Sequence, residues 1–244
     1  MALYHFETLS SSNDEARNPR YREGDWIVVE RQTAGRGQRG HTWLGGEGEN
    51  LLATLLLEPR FLPVREQFLI SQLSALALCD LLEEEGLYPR IKWTNDLYVG
   101  DRKMAGILIE HTLSGDSLAR TMIGIGLNIN QSDFDPALPN PTSLYLETGR
   151  LSNRATIAER LHKALMRRYA QLREQGGAAL QQAYRERIYR RDEPQRFRLP
   201  DGEEFVELIR GVEPTGELVV EHPDGHRKGY LFREIEFVIT PQKG

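Results

Sequence analysis

A stretch near the middle of the chain sets charged and amide side chains between two apolar, strand-like runs. From Arg90 it reads Arg-Ile-Lys-Trp-Thr-Asn-Asp-Leu-Tyr-Val-Gly-Asp-Arg-Lys-Met-Ala-Gly-Ile-Leu-Ile-Glu. The pattern predicts a strand over residues 91–99, a short glycine turn, and a second strand over residues 104–111. This arrangement favours a sheet and brings an amide (Asn95), a carboxylate (Asp96) and an ammonium (Lys103) together at one mouth.

Further strands and helices are predicted on both sides of this unit. Strand-like runs over residues 26–30, 51–58 and 121–130 are bounded by glycine or charged turn residues. Residues 64–85 predict a helix that is apolar almost all round, and such a helix is buried. Residues 157–172 carry apolar side chains at the spacing of an amphipathic helix. This part of the chain therefore predicts an α+β domain with a mixed sheet.

The pattern of polar and apolar residues changes after about residue 190. Short segments of alternating polar and apolar residues follow, separated by Pro-Asp-Gly and Pro-Thr-Gly turns. Five or so short strands of this kind are typical of a small barrel. We therefore predict two domains, a mixed sheet packed with helices over residues 1–190 and a small SH3-like β-barrel over residues 191–244.

The composition argues against several classes of function. The 31 Lys and Arg residues against 36 Asp and Glu residues give a net charge of −5, which disfavours nucleic acid as the main partner. Neither the single cysteine, Cys79, nor the six histidines show the spacing of a zinc site. The N-terminus lacks a basic segment followed by an apolar one, and no uncharged apolar stretch of about 18 residues occurs. We expect a cytoplasmic protein without membrane association.

A glycine-rich loop follows the first of these strands. Gly35, Gly37 and Gly40 satisfy the G-x-G-x-x-G pattern of a dinucleotide-binding turn. Such a turn must open a helix whose N-terminus faces the pyrophosphate, but here the chain continues His-Thr-Trp-Leu-Gly-Gly-Glu-Gly, which is too rich in glycine to begin one. The pattern therefore indicates a loop whose backbone approaches a ligand closely, or, taken alone, a solvated surface turn.

The side chains of this loop suit a phosphorylated ligand. Arg36 and Arg39 can neutralise phosphate or carboxylate charge through bidentate hydrogen bonds. Trp43 follows the loop and is suited either to stack on a purine or to anchor the core. Together with the amide, carboxylate and ammonium described above, the loop indicates activation of a carboxylate by ATP.

Three motifs, in this order, resemble the signatures of biotin protein ligases. They are Gly35-Arg-Gly-Gln-Arg-Gly-His-Thr-Trp, Lys92-Trp-Thr-Asn-Asp with Lys-Met-Ala-Gly-Ile-Leu six residues later, and Gly124-Ile-Gly-Leu-Asn. Their spacings match as well, and the similarity covers nearly the whole chain, including the small C-terminal domain. It implies a catalytic domain related in fold to class II synthetases and lipoate ligases.

The resemblance implies a reaction in two steps. The carboxylate of biotin attacks the α-phosphate of ATP to form biotinyl-5′-AMP, and a lysine of a biotin carboxyl carrier protein then attacks that mixed anhydride. Lys103 and Arg36 are the implied catalytic residues: the charge of Lys103 meets negative charge as it develops, and Arg36 belongs to the loop over biotin and phosphate. ATP and Mg²⁺ are the implied cofactors, with Asp96 as the metal ligand.

The resemblance also implies where the ligands lie. Hydroxyl and amide groups near the N-terminus provide the paired donors and acceptors that a ureido ring demands. The residues implied for biotin are Ser11, Ser12, Asn13, Gln32, Gly35, Arg36, Gly37, Lys103, Gly106 and Gly124. Those implied for ATP are Gln38, Arg39, Trp43, Asn95, Asp96 and Asn128.

This chain departs from the family pattern at several positions. Thr94 stands where proline is common, Ser12 where threonine is, and His41 where arginine or asparagine is. Gln38 stands in place of an arginine, and a neutral amide cannot neutralise the phosphate of the adenylate. We expect Arg39 or Arg36 to compensate.

Other features of the family and its relatives set the remaining expectations. Some members carry an N-terminal DNA-binding domain, but the biotin-binding segment begins only ten residues from the start of this sequence, so we expect a monofunctional ligase. A homodimer could form through a sheet edge. The alternatives are a lipoate- or octanoate-transferring enzyme with the same catalytic fold, and a catalytically silent biotin- or nucleotide-binding module.

Overall fold

The computed structural model describes residues 2–38, 42–43, 45–46 and 48–239. Its larger sheet has seven strands in the order β1-β2-β3-β7-β6-β5-β4. The strands are β1 (Leu3–Leu9), β2 (Trp26–Gln32), β3 (Leu51–Leu57), β4 (Pro89–Lys92), β5 (Asp96–Val99), β6 (Arg102–Ser114) and β7 (Ser117–Leu127). The sheet is mixed because β1 pairs with β2 in parallel and all other neighbours are antiparallel.

Five α-helices and one short 3₁₀ helix (Val64–Glu66) accompany this sheet within the described residues. The α-helices are α1 (Ser12–Glu15), α2 (Phe68–Glu84), α3 (Leu144–Thr148), α4 (Arg154–Gln175) and α5 (Ala178–Glu186). Helix α2 has 13 buried residues among its 17, because it packs against strands on one side and against α4 and α5 on the other. The predicted helix with no polar face is therefore confirmed, and it forms the centre of the main hydrophobic core.

Strand β3 shows why the centre of the sheet forms where it does. Its sequence Leu-Leu-Ala-Thr-Leu-Leu-Leu is buried at every position, which is the pattern of a strand covered on both faces. Leu55 and Leu57 belong to the main core with α2, whereas Leu56 packs in a smaller cluster with Tyr21 and Met122. Residues on the second face are thus available to line a site.

The second sheet has five antiparallel strands. They are β8 (Pro194–Arg198), β9 (Glu204–Val212), β10 (Leu218–Glu221), β11 (Arg227–Tyr230) and β12 (Glu236–Phe237), in the order β11-β10-β9-β8-β12. The predicted α+β class with a small β domain is confirmed. The sheet is open, however, because no hydrogen-bonded pairing joins β11 to β12 among the described residues. A boundary at residue 190 stays a prediction.

The predicted single strand over residues 91–99 is wrong. Strands β4 and β5 are separate and antiparallel, with Lys92 opposite Asp96, and residues 93–95 turn the chain between them. The indole of Trp93 turns toward the second sheet, where its Nε1 donates a hydrogen bond to the carbonyl oxygen of Gly216 at 2.8 Å. Trp93 also packs edge-on against Phe232. This turn therefore joins the two sheets.

Some elements were not predicted from the sequence. Strand β1 has seven residues, none of them buried, and α1, α3 and α5 are helices of four, five and nine residues. Within the described part of the chain, none of the helices is both long enough and apolar enough to cross a bilayer.

Candidate functional site

The register of the larger sheet places five residues in one row across the strands. Lys92 lies opposite Asp96, Asp96 opposite Gly106, Gly106 opposite Gly126, and Gly126 opposite Leu52. All five line a cavity of about 410 Å³. The row thus runs from a cation and a carboxylate, over two bare glycines, to an apolar side chain.

The two glycines in the row form a floor for one aromatic ring. A Cβ atom on Gly126 would lie 2.2 Å from Cε2 of Trp43, and one on Gly106 would lie 2.8 Å from Cζ3 of the same ring. Only glycine leaves space for the indole at these positions. We call Gly106 and Gly126 the glycine floor.

Sequence reasoning missed Gly126 as a site residue. The signal was available, because Gly124 and Gly126 alternate with apolar residues in a strand and must therefore share one face of the sheet. Trp43 itself is held through its backbone N–H, which donates to the carbonyl oxygen of Gly35 at 3.1 Å. Its indole N–H is buried and has no hydrogen-bond partner among the described residues.

One end of the cavity is built from hydroxyl and amide groups. Gln32 accepts hydrogen bonds through Oε1 from the backbone N–H of Ser12 at 2.7 Å and from its hydroxyl at 3.2 Å. The hydroxyl of Thr54 lies 2.8 Å from that of Ser12 and 2.7 Å from Oδ1 of Asn13. Ser12, Asn13 and Gln32 line the cavity, whereas Thr54 is buried behind them and supports them. We call these four residues the polar end. Thr54 was missed because it lies in an otherwise apolar strand.

The neighbours of the polar end fix its shape. A Cβ atom on Gly124 would lie 2.3 Å from Oδ1 of Asn13, so the glycine is required for the asparagine to lie flat on the strand. Nδ2 of Asn13 donates to the carbonyl oxygen of Leu108 at 3.2 Å and to the carboxylate of Glu110 at 3.0 Å. Ser11 is buried and lines the cavity beside this group.

The opposite end of the cavity carries charge. Nζ of Lys103 lies 2.8 Å from Oδ1 of Asp96 and 5.5 Å from the centre of the Trp43 ring. We call Lys92, Asp96 and Lys103 the charged end. The predicted amide, carboxylate and ammonium do meet at one mouth of the sheet.

The side-chain amides of Asn95 and Asn128, which were predicted to contact ATP, each donate one hydrogen bond to a backbone carbonyl oxygen. Nδ2 of Asn95 donates to the carbonyl oxygen of Ile107 at 2.7 Å, and Nδ2 of Asn128 donates to that of Thr142 at 2.9 Å. Both side chains still line the cavity. These bonds fix both amides at the wall of the cavity, and Oδ1 of Asn95 also accepts a hydrogen bond from the hydroxyl of Thr94 at 3.2 Å.

Arg36 lies at the rim of the cavity in an ion-pair cluster. Its Nη2 lies 2.8 Å from Oδ1 of Asp14 and 2.9 Å from Oε2 of Glu110, while Arg17 binds the other oxygen of Glu110 at 2.7 Å. Burial would raise the pKa of Glu110, but the hydrogen bond from Asn13 and the charges of Arg36 and Arg17 lower it below its usual value. The guanidinium therefore neutralises protein carboxylates in this structure.

The rest of the glycine loop is described in part. Gly37 and Gln38 line the cavity, whereas Gly35 does not, because it is buried behind Gln32 and the backbone of Trp43. Oε1 of Gln38 lies 3.4 Å from the hydroxyl of Thr94. Arg39, predicted to contact ATP, lies outside the described residues.

The second sheet closes the cavity near the charged end. Phe232, Ile235 and Phe237 all line it, which sequence reasoning missed because they are distant in the chain and carry no motif. Nζ of Lys92 lies 4.9 Å from the centre of the Phe237 ring and 5.6 Å from that of Tyr98. Burial, and then the charge of Asp96, raise the pKa of Tyr98 well above its usual value, so this hydroxyl stays neutral.

Few acidic side chains in the described part of this site are placed to bind a metal ion. The described residues contain no cluster of three or more His, Cys, Asp or Glu side chains arranged to hold one. Asp96 faces the cavity with one oxygen on Lys103 and a second oxygen for other contacts. This donor set fits a Mg²⁺ ion that arrives on substrate phosphates and takes a single carboxylate from the protein.

Comparisons with known proteins agree on one family. A sequence model of the biotin/lipoate A/B protein ligase family matches residues 6–128. The biotin–[acetyl-CoA-carboxylase] ligase of Paracoccus denitrificans is 32% identical over 212 residues, which are 83% of this chain and 86% of that protein. The bifunctional ligase/repressor BirA of Bacillus subtilis is 29% identical over 235 residues, 93% of this chain and 71% of that protein.

Solved structures show the same fold. The biotin protein ligase of Aquifex aeolicus in complex with biotin and ATP superposes with a TM-score of 0.82 at 23% identity, covering 98% of this chain and 99% of that one. The likeness extends over both sheets.

Proposed function

Because this chain belongs to the biotin/lipoate A/B protein ligase family, we propose that it activates biotin with ATP as biotinyl-5′-AMP and transfers the biotinyl group to a lysine of a biotin carboxyl carrier protein. The observation that carries the proposal is the layout of the cavity. A polar end, a glycine floor and a charged end follow one another across the strands. Their order matches the head, tail and carboxylate of biotin, followed by the phosphates of ATP.

The polar end is the support for biotin as the acid. Oε1 of Gln32 is occupied by Ser12, so the amide hydrogens on its Nε2 are directed elsewhere, and Oδ1 of Asn13 keeps a second lone pair. A ureido ring has one carbonyl and two N–H groups that need such partners. An acid with an apolar head would leave these buried groups unpaired, at a cost of about 1–3 kcal/mol each.

The charged end supports the adenylation step. A carboxylate oxygen of biotin attacks the α-phosphorus of ATP, an O–P bond forms, and the bond to the bridging oxygen breaks as pyrophosphate leaves. The ammonium of Lys103 lies 2.8 Å from Asp96 and 5.5 Å from the centre of the Trp43 ring, where it can neutralise the biotin carboxylate and later the acyl oxygen. Mg²⁺ on the ATP phosphates would supply charge neutralisation there, with Asp96 as its protein ligand.

The transfer step needs the acceptor lysine at the same mouth. Its amine attacks the acyl carbon of the adenylate, an amide forms, and AMP leaves. Lys103 can also stabilise the oxyanion of this step, because the acyl oxygen occupies the position of the former carboxylate. The acceptor protein, a cytoplasmic location and a homodimer through a sheet edge remain predictions.

The first experiment is biotin-dependent exchange of labelled pyrophosphate into ATP with Mg²⁺. Lipoate and octanoate serve as alternative acids, and Lys103→Gln serves as the matched inactive variant. Exchange with biotin, lost in the variant, supports the proposal. Exchange with lipoate or octanoate instead would assign the other branch of the family, and no exchange with any acid would indicate a binding module.

A further inference from the structure

Among the described residues, the cavity presents few cations to a nucleotide with several negative charges. The described lysine and arginine residues that line it are Arg36, Lys92 and Lys103. Arg36 lies at the rim beside the polar end, on Asp14 and Glu110. Lys103 lies on Asp96 at the edge of the glycine floor, the place of the carboxylate and the α-phosphate. In the proposed reaction, the β- and γ-phosphates extend from this place in the direction away from the polar end.

Lys92 lies in the direction in which those phosphates extend. It is the last residue of β4 and stands at the end of the transverse row, one strand beyond Asp96 and on the side away from the polar end. Its ammonium lies over the rings of Tyr98 and Phe237, which hold it by cation–π contact at the wall of the cavity. Tyr98 comes from the first sheet and Phe237 from the second.

Resting on the proposed function, we propose that Lys92 binds the β- and γ-phosphates of ATP and the pyrophosphate that leaves, and that Phe237 positions its ammonium. When the bond between the α-phosphorus and the bridging oxygen breaks, the leaving oxygen gains negative charge. A fixed ammonium nearby stabilises that charge without reorganising. The second domain thereby acts in the first half-reaction, and Lys92 has no part in the attack of the acceptor lysine.

This division between the half-reactions can be measured on one complex. Enzyme carrying preformed biotinyl-5′-AMP is mixed either with pyrophosphate, which reverses adenylation to ATP and biotin, or with hydroxylamine, which accepts the biotinyl group. Lys92→Met is expected to slow the reaction with pyrophosphate and to raise KM for ATP, each about 10- to 100-fold, the value of a charge-assisted hydrogen bond. The reaction with hydroxylamine should proceed as in the unaltered enzyme.

Two further variants separate positioning from folding. Lys92→Arg keeps the charge and its stacking on aromatic faces, so it should recover most of the pyrophosphate reaction. Phe237→Leu should slow that reaction about 3- to 10-fold, and its effect should not add to that of Lys92→Met, because both act on one contact. Phe205→Leu is the matched control, since Phe205 packs on Phe197 in the same sheet but does not line the cavity.

The outcomes are distinct from those that test the proposed function. If the unaltered protein exchanges pyrophosphate and Lys92→Met does so equally well, the assignment of Lys92 is wrong while the ligase reaction stands. If Lys92→Met instead slows only the reaction with hydroxylamine or the carrier protein, Lys92 serves the acceptor and the assignment is overturned. If the unaltered protein shows no exchange with any acid, the proposed function itself fails.

Discussion

The glycine floor makes a sharp prediction for the variant Gly126→Ala. The new methyl group would lie 2.2 Å from the Trp43 ring, and ordinary contact begins near 3.4 Å, so the indole must retreat by about 1.2 Å. Overpacking a closed core costs about 1–3 kcal/mol. Trp43 is half-buried on a loop at the cavity and can move outward, so we expect a loss of stability below about 1 kcal/mol.

The catalytic effect should be much larger than the effect on stability. A displacement of about 1 Å at a reacting site can cost roughly 100-fold in rate, and the Trp43 ring lies 5.5 Å from the ammonium of Lys103. We therefore expect kcat/KM for pyrophosphate exchange to fall by about 100-fold. Chemical denaturation measures the stability of the same samples.

Two companion variants control this experiment. Gly211→Ala adds the same methyl group in a strand of the second sheet, where the nearest side-chain atom, Nε of Arg185, is an ordinary 3.6 Å away, and it should leave exchange unchanged. Trp43→Phe replaces the indole with a smaller ring. The double variant Gly126→Ala/Trp43→Phe should therefore regain part of the activity lost in Gly126→Ala alone. Full activity of Gly126→Ala alone would show that the indole does not lie on the glycine floor during adenylation, and the reasoning would fail.

Three further outcomes follow from contacts of the described residues. Thr54→Val removes the hydroxyl that joins Ser12 to Asn13. Scanning calorimetry should show a stability loss of about 1–2 kcal/mol, and titration calorimetry should show weaker biotin binding. Because the pKa of Glu110 is lowered in the folded protein, its ionised carboxylate stabilises the fold fully at pH values above the usual pKa of 4.5. This contribution is lost as the pH falls through the lowered pKa. Thermal melts from pH 6 to pH 3 should thus show a steeper fall for the unaltered protein than for Glu110→Gln, and equal slopes would contradict this. Burial raises the pKa of the Cys79 thiol, so thiol reagents should label it only after denaturant is added, as mass spectrometry can show.

The parts of the fold that the sequence predicts are those with a strong local pattern. The runs around β3, β6 and β7 and the apolar helix α2 are long enough for periodicity to decide between strand and helix. Strand β1 alternates weakly, and α1 and α3 are too short to show a helical period. The split between β4 and β5 was missed because the apolar pattern continues through Trp93, whose burial comes from the second sheet rather than from the strand.

The candidate site divides in the same way. Asp96 and Lys103 can be found from their motif because a carboxylate and an ammonium are unusual in strands with an apolar pattern, and Asn13 can be found from the Ser-Ser-Asn segment. Thr54 and Gly126 were missed since they look like ordinary strand residues, and only the register of neighbouring strands gives them a place. Phe237 depends on how the two sheets pack, which no local pattern in the sequence encodes.

The glycine floor also separates two sets of structural elements. The polar end belongs to α1, β2 and β3, whereas Lys92, Asp96, Lys103 and Phe237 belong to β4, β5, β6 and β12. The two sets share no element, and Asn13 hydrogen-bonds to β6 at Leu108 and Glu110, away from Lys103. Substitutions at Ser12, Gln32 or Thr54 should therefore leave the charged end in place. An ancestral enzyme with this architecture could thus acquire a new acid through a few changes near α1 while keeping the chemistry of activation. Relatives that activate different acids would then differ in sequence mainly at the polar end of the cavity.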